Sequence, residues 1–186
     1  MKVLAIMGSP RSQGNTAFLL DEILSELEKE GIETRKIDIA QASIKPCLGH
    51  DNCAQYKKCP QNDDMDAIFK EMSEADGFIV ATPVYYYNVT AQLKAFIDRH
   101  YFLYKHDVSL EFKAVGVVIL AEEQGLDDTL NTLVQYLDSS FKVKADELVV
   151  LTGYAAREGD AKTNTELINL ARNMGQTLAS SLKENS

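Results

Sequence analysis

The first segment that could carry chemistry lies between an apolar run and an amphipathic stretch near the start of the chain. It comprises residues 8–16, with the sequence GSPRSQGNT. Its hydroxyl, amide and guanidinium groups are hydrogen-bond donors that could surround a phosphate, and its glycines allow the backbone to turn sharply. The candidate residues are Ser9, Arg11, Ser12, Gly14, Asn15 and Thr16. The alternative is an ordinary capped helix start, with Ser12 or Asn15 as the N-cap.

This segment does not match the common nucleotide-binding fingerprints. A Walker A loop needs Gly-Lys-Ser/Thr at its end, but here Gly14 is followed by Asn15. The dinucleotide fingerprint GxGxxG is also absent. Asp38 ends the second apolar run, where a ribose-binding acid can sit, but a single acid is weak evidence. The sequence therefore disfavours a P-loop NTPase.

A second segment, rich in tyrosine, follows the third apolar run. Residues 81–90 read ATPVYYYNVT and lead into an amphipathic stretch that ends at Arg99. Aromatic rings beside a phosphate-binding loop suit a ligand with a phosphate at one end and a flat ring at the other, and FMN is such a ligand. The alternative is that Tyr85, Tyr86 and Tyr87 are packing or surface residues.

The apolar pattern predicts the elements that bring these segments together. Five short apolar runs alternate with amphipathic helical stretches, and the predicted strands lie near residues 3–7, 34–39, 77–81, 114–120 and 148–151. This alternation indicates an α/β fold with a doubly wound parallel sheet of flavodoxin-like order 2-1-3-4-5 and helices on both faces. In that order the first and third strands flank the switch point, so both segments face one crevice.

Composition narrows the class of protein. The 186 residues fit a single domain spanning 1–186, and 45% hydrophobic with 25% charged residues is typical of a globular protein. The net charge of −9 disfavours nucleic acid and anionic membranes as partners. No apolar run has the length of a membrane span, and the N-terminal run is too short for a signal peptide. We therefore expect a cytoplasmic protein.

All three cysteines lie in an irregular interval of about residues 40–63. They are Cys47, Cys53 and Cys59, and an odd number without an export signal disfavours a disulfide framework. A stretch of this length without regular structure indicates a functional loop.

The segments GSPRSQGNT and TPVYYYNVTAQLKAFIDR closely resemble the NADPH-dependent FMN reductase family of flavodoxin-like proteins. The resemblance also includes the cysteine interval and the residues 152–155, so it covers nearly the whole chain. It implies that the first segment holds the FMN phosphate. It further implies that the second segment lines the ribityl chain and the isoalloxazine ring, through Pro83, Val84, Tyr85, Tyr86 and Asn88. The loop at 121–125 often completes the flavin site in such proteins, but here it reads AEEQG rather than a glycine-rich sequence.

The cysteine interval resembles the cluster motif of the iron–sulfur flavoprotein branch, in which four cysteines hold a 4Fe–4S cluster. The matching positions are Cys47, His50, Cys53 and Cys59, so a histidine replaces one thiolate. A cluster with one histidine ligand and a Cys3His zinc site are both chemically possible. The loss of a soft, charged ligand favours a loop without metal.

We therefore expect an FMN-dependent oxidoreductase that takes hydride from NAD(P)H and reduces flavin, a quinone or a redox protein. One competing hypothesis is an iron–sulfur flavoprotein-type electron carrier without nicotinamide chemistry. Another is a non-catalytic FMN-binding module whose redox state controls a partner. The resemblance also implies a homodimer or homotetramer, with the cysteine interval and residues 101–106 as contact surface.

Overall fold

The sheet is visible in the computed structural model, which describes residues 1–185. Its five strands are β1 (Lys2–Met7), β2 (Glu33–Asp38), β3 (Gly77–Pro83), β4 (Ala114–Ala121) and β5 (Leu148–Tyr154). The strand order is β2-β1-β3-β4-β5, and all neighbouring strands are parallel. The predicted flavodoxin-like order is confirmed.

Within the described residues 1–185, seven α-helices connect or follow the strands. They are α1 (Asn15–Lys29), α2 (Met65–Ser73), α3 (Ala91–Arg99), α4 (Tyr101–Lys105), α5 (Leu126–Phe141), α6 (Asp160–Thr163) and α7 (Thr165–Glu184). The short α4 and α6 have too few residues to show a periodic apolar face, which is why the sequence pattern does not reveal them. No helix within residues 1–185 is long and apolar enough to cross a membrane.

Helices cover both faces of the sheet and form two apolar layers. One layer packs α1, α6 and α7 against the sheet, with residues such as Leu20 and Leu178. The other packs α2, α3 and α5 on the opposite face, with residues such as Phe78 and Phe96. Because β4 has neighbours on both faces and both edges, all of its residues are buried. This explains why the central strands are continuous apolar runs.

Two strands extend at least two residues beyond their predicted carboxyl ends. Thr82 and Pro83 extend β3, and β5 continues to Tyr154. The second difference arises because β5 is an edge strand that is only half-buried, so Thr152 and Gly153 interrupt its apolar run while its backbone stays paired with β4. These extensions lengthen both strands toward the carboxyl edge of the sheet.

The interval at residues 40–63, called here the cysteine loop, contains a short 3₁₀ turn at Cys53–Gln55 and is otherwise irregular. Hydrogen bonds join its two ends. The backbone N–H of Ser43 donates to the carboxylate of Asp64 at 2.7 Å, and the N–H of Asp64 donates to the Ser43 carbonyl at 3.0 Å. The Gln61 amide donates to the Pro46 carbonyl at 2.6 Å. The loop is thus closed by its own polar groups.

A buried ion pair fastens the cysteine loop to the end of α3. The two guanidinium nitrogens of Arg99 lie 2.5 and 3.0 Å from the carboxylate oxygens of Asp63, and the side chains are only 2% and 1% exposed. Arg99 also donates to the Lys45 carbonyl at 3.0 Å. Burial alone would raise the pKa of Asp63, but hydrogen bonds from Arg99 and from the backbone of Lys45 and Met65 outweigh it and hold this pKa below its usual value.

Replacing Arg99 by Met should strongly destabilise the protein, since it leaves the Asp63 carboxylate buried without its cation. We expect the free energy of unfolding to fall by about 3–5 kcal/mol in urea titrations. The control is Lys94→Met, which breaks the exposed Lys94–Asp98 pair on the same helix and should cost less than about 1 kcal/mol. Equal losses in the two variants would contradict a structural role for the buried pair.

The same pair predicts a pH dependence in the wild-type protein. Because the pKa of Asp63 is lower in the folded state than in the unfolded chain, its contribution is fully present above the ordinary carboxyl pKa. It is lost as the pH falls through the lowered pKa. Urea titrations from neutral to acid pH should therefore show a loss of stability that is smaller in Arg99→Met.

Candidate functional site

A crevice of about 470 Å³ lies beyond the carboxyl ends of β1, β3 and β4, where α/β sheets of this order bind ligands. Its size is within the range of small-molecule sites. The lining residues are Ser9, Arg11, Gly14, Asn15, Thr16, Pro83, Val84, Tyr85, Tyr86, Leu120, Ala121, Glu122, Ala155 and Ala156. All predicted binding residues except Ser12 and Asn88 are therefore brought together here.

Two hydrogen bonds at Gly8 hold the loops after β1 and β3 together. The N–H of Gly8 donates to the Ala81 carbonyl at 2.7 Å, and the buried Thr90 hydroxyl donates to the Gly8 carbonyl at 2.5 Å. A Cβ atom at Gly8 would lie 3.0 Å from the Ala81 oxygen and 3.1 Å from the side chain of Leu93. Glycine is therefore the residue that permits this close approach.

The first turn of α1 forms one end of the crevice. Its N-cap is Gly14, which offers no side-chain cap, so the expected alternative of Ser12 or Asn15 as an ordinary N-cap is not what the structure shows. The N–H groups of this turn remain available, and they lie at the positive end of the helix dipole. Such a helix start favours an anion.

Ser9 and Arg11 shape the turn that precedes α1. The N–H of Arg11 donates to the Ser9 hydroxyl oxygen at 3.1 Å, and the N–H of Gly14 donates to the Arg11 carbonyl at 3.0 Å. Arg11 is the only cationic residue among those that line the crevice. Residues 1–185 contain twelve ion pairs of 4.0 Å or less, and none of them includes the Arg11 guanidinium.

The side chain of Asn15 is engaged with the loop that follows β5. Its amide N–H₂ donates to the Arg157 carbonyl at 2.7 Å, and its oxygen accepts from the N–H groups of Gly159 and Ala161 at 3.0 and 3.2 Å. These bonds hold the loop with Ala155 and Ala156 as a third wall of the crevice. Asn15 thus shapes the site through its side chain.

A tight turn at Tyr85–Asn88 forms the other end of the crevice. The backbone N–H of each of these two residues donates to the carbonyl of the other, at 2.8 and 3.2 Å. Tyr86 and Tyr87 both have positive φ angles, of 50° and 66°. Two-residue turns of this kind favour Asn and Gly, so two tyrosines here carry backbone strain. The Asn88 side chain accepts from the N–H of Val89 at 2.8 Å and closes the turn rather than lining the crevice.

The loop after β4 packs beneath this turn. Gly125 has a φ of 88°, and a Cβ atom there would lie 2.8 Å from Val84 and 2.9 Å from the Tyr87 Cα, so glycine is required on both grounds. The same loop places Ala121 and Glu122 in the crevice. The family resemblance points to the loop at 121–125, although its sequence AEEQG is not glycine-rich. The lining residues without a predicted role are Leu120, Ala155 and Ala156, and the available signal is their position near the carboxyl ends of β4 and β5.

A smaller opening of about 410 Å³, called here the side cavity, adjoins the crevice. It is lined by Val84, Tyr86, Tyr87, Glu122, Glu123 and Gln124. Val84, Tyr86 and Glu122 line both spaces. The Tyr87 hydroxyl donates to the Gln124 side-chain oxygen at 3.2 Å, which joins the two loops across the side cavity.

The cysteine loop does not offer the ligand set of a four-thiolate cluster. Cys53 is buried, whereas Cys47 and Cys59 are partly exposed, and the His50 ring packs against Tyr56. Burial raises the pKa of the Cys53 thiol, and the neighbouring Cys47 and Cys59 add to this effect. Among residues 1–185, no group of three or more His, Cys, Asp and Glu side chains is placed to hold a metal ion.

A separate cavity of about 480 Å³ lies between α4 and the C-terminal ends of α3 and α5, at the opposite edge of the sheet from the crevice. His100 lines it, and its ring donates from Nδ1 to the Phe96 carbonyl at 3.0 Å and accepts at Nε2 from the Tyr136 hydroxyl at 3.1 Å. Burial lowers the pKa of His100 to about 4, so the ring is neutral at pH 7. This pair has no contact with the crevice.

The chain is similar to known flavoproteins in sequence and to known oxidoreductases in fold. An iron-sulfur flavoprotein of Methanocaldococcus jannaschii is 36% identical over 194 residues, which cover 98% of each chain. An iron-sulfur flavoprotein of Archaeoglobus fulgidus is 35% identical over 181 residues, or 96% of this chain and 79% of that protein. The solved NAD(P)H:quinone oxidoreductase of Methanothermobacter marburgensis shares the fold, with a TM-score of 0.70, 15% identity and coverage of 96% of both chains.

The sequence profile of the NADPH-dependent FMN reductase family matches residues 1–157. The match covers β1 to β5 and therefore includes every wall of the crevice. The chain belongs to the NADPH-dependent FMN reductase family, and its identification from sequence as an FMN-dependent oxidoreductase is confirmed.

Proposed function

We propose that FMN occupies the crevice with its phosphate at the first turn of α1 and its isoalloxazine ring beside Pro83, Val84, Tyr85 and Tyr86. The observation that carries this proposal is the meeting, in one crevice, of a helix start without a side-chain cap and a tyrosine-rich turn. The helix start and Arg11 supply the donors and the positive charge that a phosphate needs. The tyrosine turn supplies an apolar surface for a flat ring.

The remaining predicted residues support this placement in different ways. The buried Ser9 and Thr16 line the phosphate end, where their hydroxyls can donate to phosphate oxygens. Gly14 allows the phosphate to approach the backbone closely. Ser12 lies in the turn between Arg11 and Gly14, and Asn88 closes the tyrosine turn, so both act from outside the lining.

Bound FMN supplies the hydride and electron transfer that the side chains themselves cannot perform. The residues of the chain bind and orient this cofactor and leave one side open at the side cavity. We propose NAD(P)H as the donor and a free flavin, a quinone or a redox protein as the acceptor. The family description favours NADPH.

We further propose that residues 1–186 act as one FMN-binding domain in the cytoplasm and assemble as a homodimer or homotetramer. Exposed tyrosines support residues 101–106 as a contact surface, since Tyr101 and Tyr104 stack on each other on the outer face of α4. The cysteine loop packs beside α4, with the His106 ring 2.9 Å from the Tyr56 carbonyl. The two regions therefore form one continuous surface.

The phosphate placement can be tested with a matched pair of ligands, FMN and riboflavin, which differ only in the phosphate. Replacing Arg11 by Gln should weaken FMN binding by about 10- to 100-fold, the loss expected for a hydrogen bond to a charged group. Riboflavin affinity should be unchanged. The measurement is a fluorescence titration, with Arg172→Gln on α7 as a control that alters no crevice residue. An equal loss for both ligands would place the phosphate elsewhere.

The proposed reaction is tested by consumption of NADPH and NADH with a quinone acceptor, at saturating FMN. We expect turnover with at least one of the two donors. Tight FMN binding without turnover would instead support the redox-sensing module, and failure to bind FMN would contradict both functions.

An iron–sulfur electron carrier is a second candidate because the two relatives described above are named iron-sulfur flavoproteins. His50 in place of a fourth cysteine opposes it, since thiolates are the usual ligands of such clusters. Iron and acid-labile sulfide assays on protein purified without oxygen decide between the candidates. About four irons per chain would support the carrier.

A substitution at His50 tests whether Cys47, His50, Cys53 and Cys59 can hold a cluster. We expect His50→Cys, reconstituted with iron and sulfide without oxygen, to retain more iron per chain than the wild type, since a fourth thiolate completes the soft ligand set. The control is Tyr104→Cys, which adds a thiol at an exposed position on the neighbouring α4. Equal iron contents in all three proteins would show that His50 does not limit cluster binding.

A further inference from the structure

The side cavity is placed to receive the second redox substrate, an inference that rests on the proposed function. It shares Val84, Tyr86 and Glu122 with the crevice, so a molecule in the side cavity lies next to the tyrosine end of the crevice. Its volume of about 410 Å³ suits a small aromatic molecule. A substrate there can exchange electrons with the cofactor without displacing it.

One wall of the side cavity is an aromatic surface held out into solvent. Tyr86 is 98% exposed. Its position is fixed by the strained backbone of the turn and by the close packing of Gly125 against the neighbouring Val84 and Tyr87. Because the ring is this exposed, its face is available to stack on a flat ligand. Tyr87 lies edge-on to it, with ring centroids 6.1 Å apart, and is anchored through Gln124.

The opposite wall carries negative charge that the chain does not neutralise. Glu122 and Glu123 are exposed, and within residues 1–185 neither forms a salt bridge of 4.0 Å or less. No lysine or arginine lines the side cavity. Two unpaired carboxylates in a concave site favour a cationic over an anionic substituent held beside them, and the net charge of −9 acts in the same direction.

We propose that the side cavity binds planar aromatic acceptors and that Glu122 and Glu123 make it select cationic over anionic ones. With a quinone as acceptor, NAD(P)H, one proton and the quinone give NAD(P)⁺ and the hydroquinone, and two electrons are transferred. The charged substituent of the acceptor takes no part in the chemistry. Its sign therefore reports the field of the two glutamates.

The test uses three naphthoquinones with the same ring, one with a quaternary ammonium substituent, one with a sulfonate and one without charge. With FMN and NAD(P)H saturating, the wild-type KM should be about tenfold lower for the cation than for the anion. In Glu122→Gln/Glu123→Gln, the KM for the cation should rise and that for the anion should fall until the ratio is near one. High salt should reduce the ratio in the wild type as well.

Two further variants separate local charge from other effects. Glu33→Gln/Glu184→Gln removes the same net charge at the opposite edge of the sheet and should keep the wild-type ratio. Tyr86→Ala should raise the KM about 2- to 12-fold for all three quinones, through lost stacking, and leave their ratio unchanged. An equal ratio in the wild type and the Glu122/Glu123 variant would overturn this inference alone. The absence of turnover with every quinone would overturn the proposed function and this inference together.

Discussion

Gly8 is the residue on which the arrangement of the crevice depends, because its backbone bonds the ends of two central strands to each other. Its N–H donates to the Ala81 carbonyl within β3, and its own carbonyl accepts from the Thr90 hydroxyl. A side chain at this position would push the two loops apart. The spacing between the first turn of α1 and the tyrosine turn is therefore set by contacts of the Gly8 backbone, before any ligand binds.

The helix α3 links this contact to the cysteine loop. Thr90 caps its start through the N–H of Leu93 and binds Gly8, while Arg99 at its end holds Asp63 and Lys45. The cysteine loop is thus anchored by an ion pair and by hydrogen bonds between its own two ends.

The sequence predicts much of this structure because the burial of each element determines where apolar residues occur in the sequence. Strands such as β4 are buried on both faces and therefore appear as continuous apolar runs, which indicate a parallel sheet. The carboxyl ends of such strands lie at one edge, where the structure brings together lining residues from 9–16 and 83–86. Contacts between distant segments leave no such pattern. The bonds from Asn15 to the loop at 157–161 join residues more than 140 positions apart, and the positive φ angles of Tyr86 and Tyr87 run against the ordinary preference of tyrosine.

The central claim is that the phosphate of FMN meets the first turn of α1. A crystal structure of the FMN complex tests it most directly. The account predicts phosphate oxygens within about 3.2 Å of backbone N–H groups in residues 11–16 and the flavin ring against residues 83–86. A phosphate directed away from α1, or FMN seated in the cavity beside His100, would contradict it.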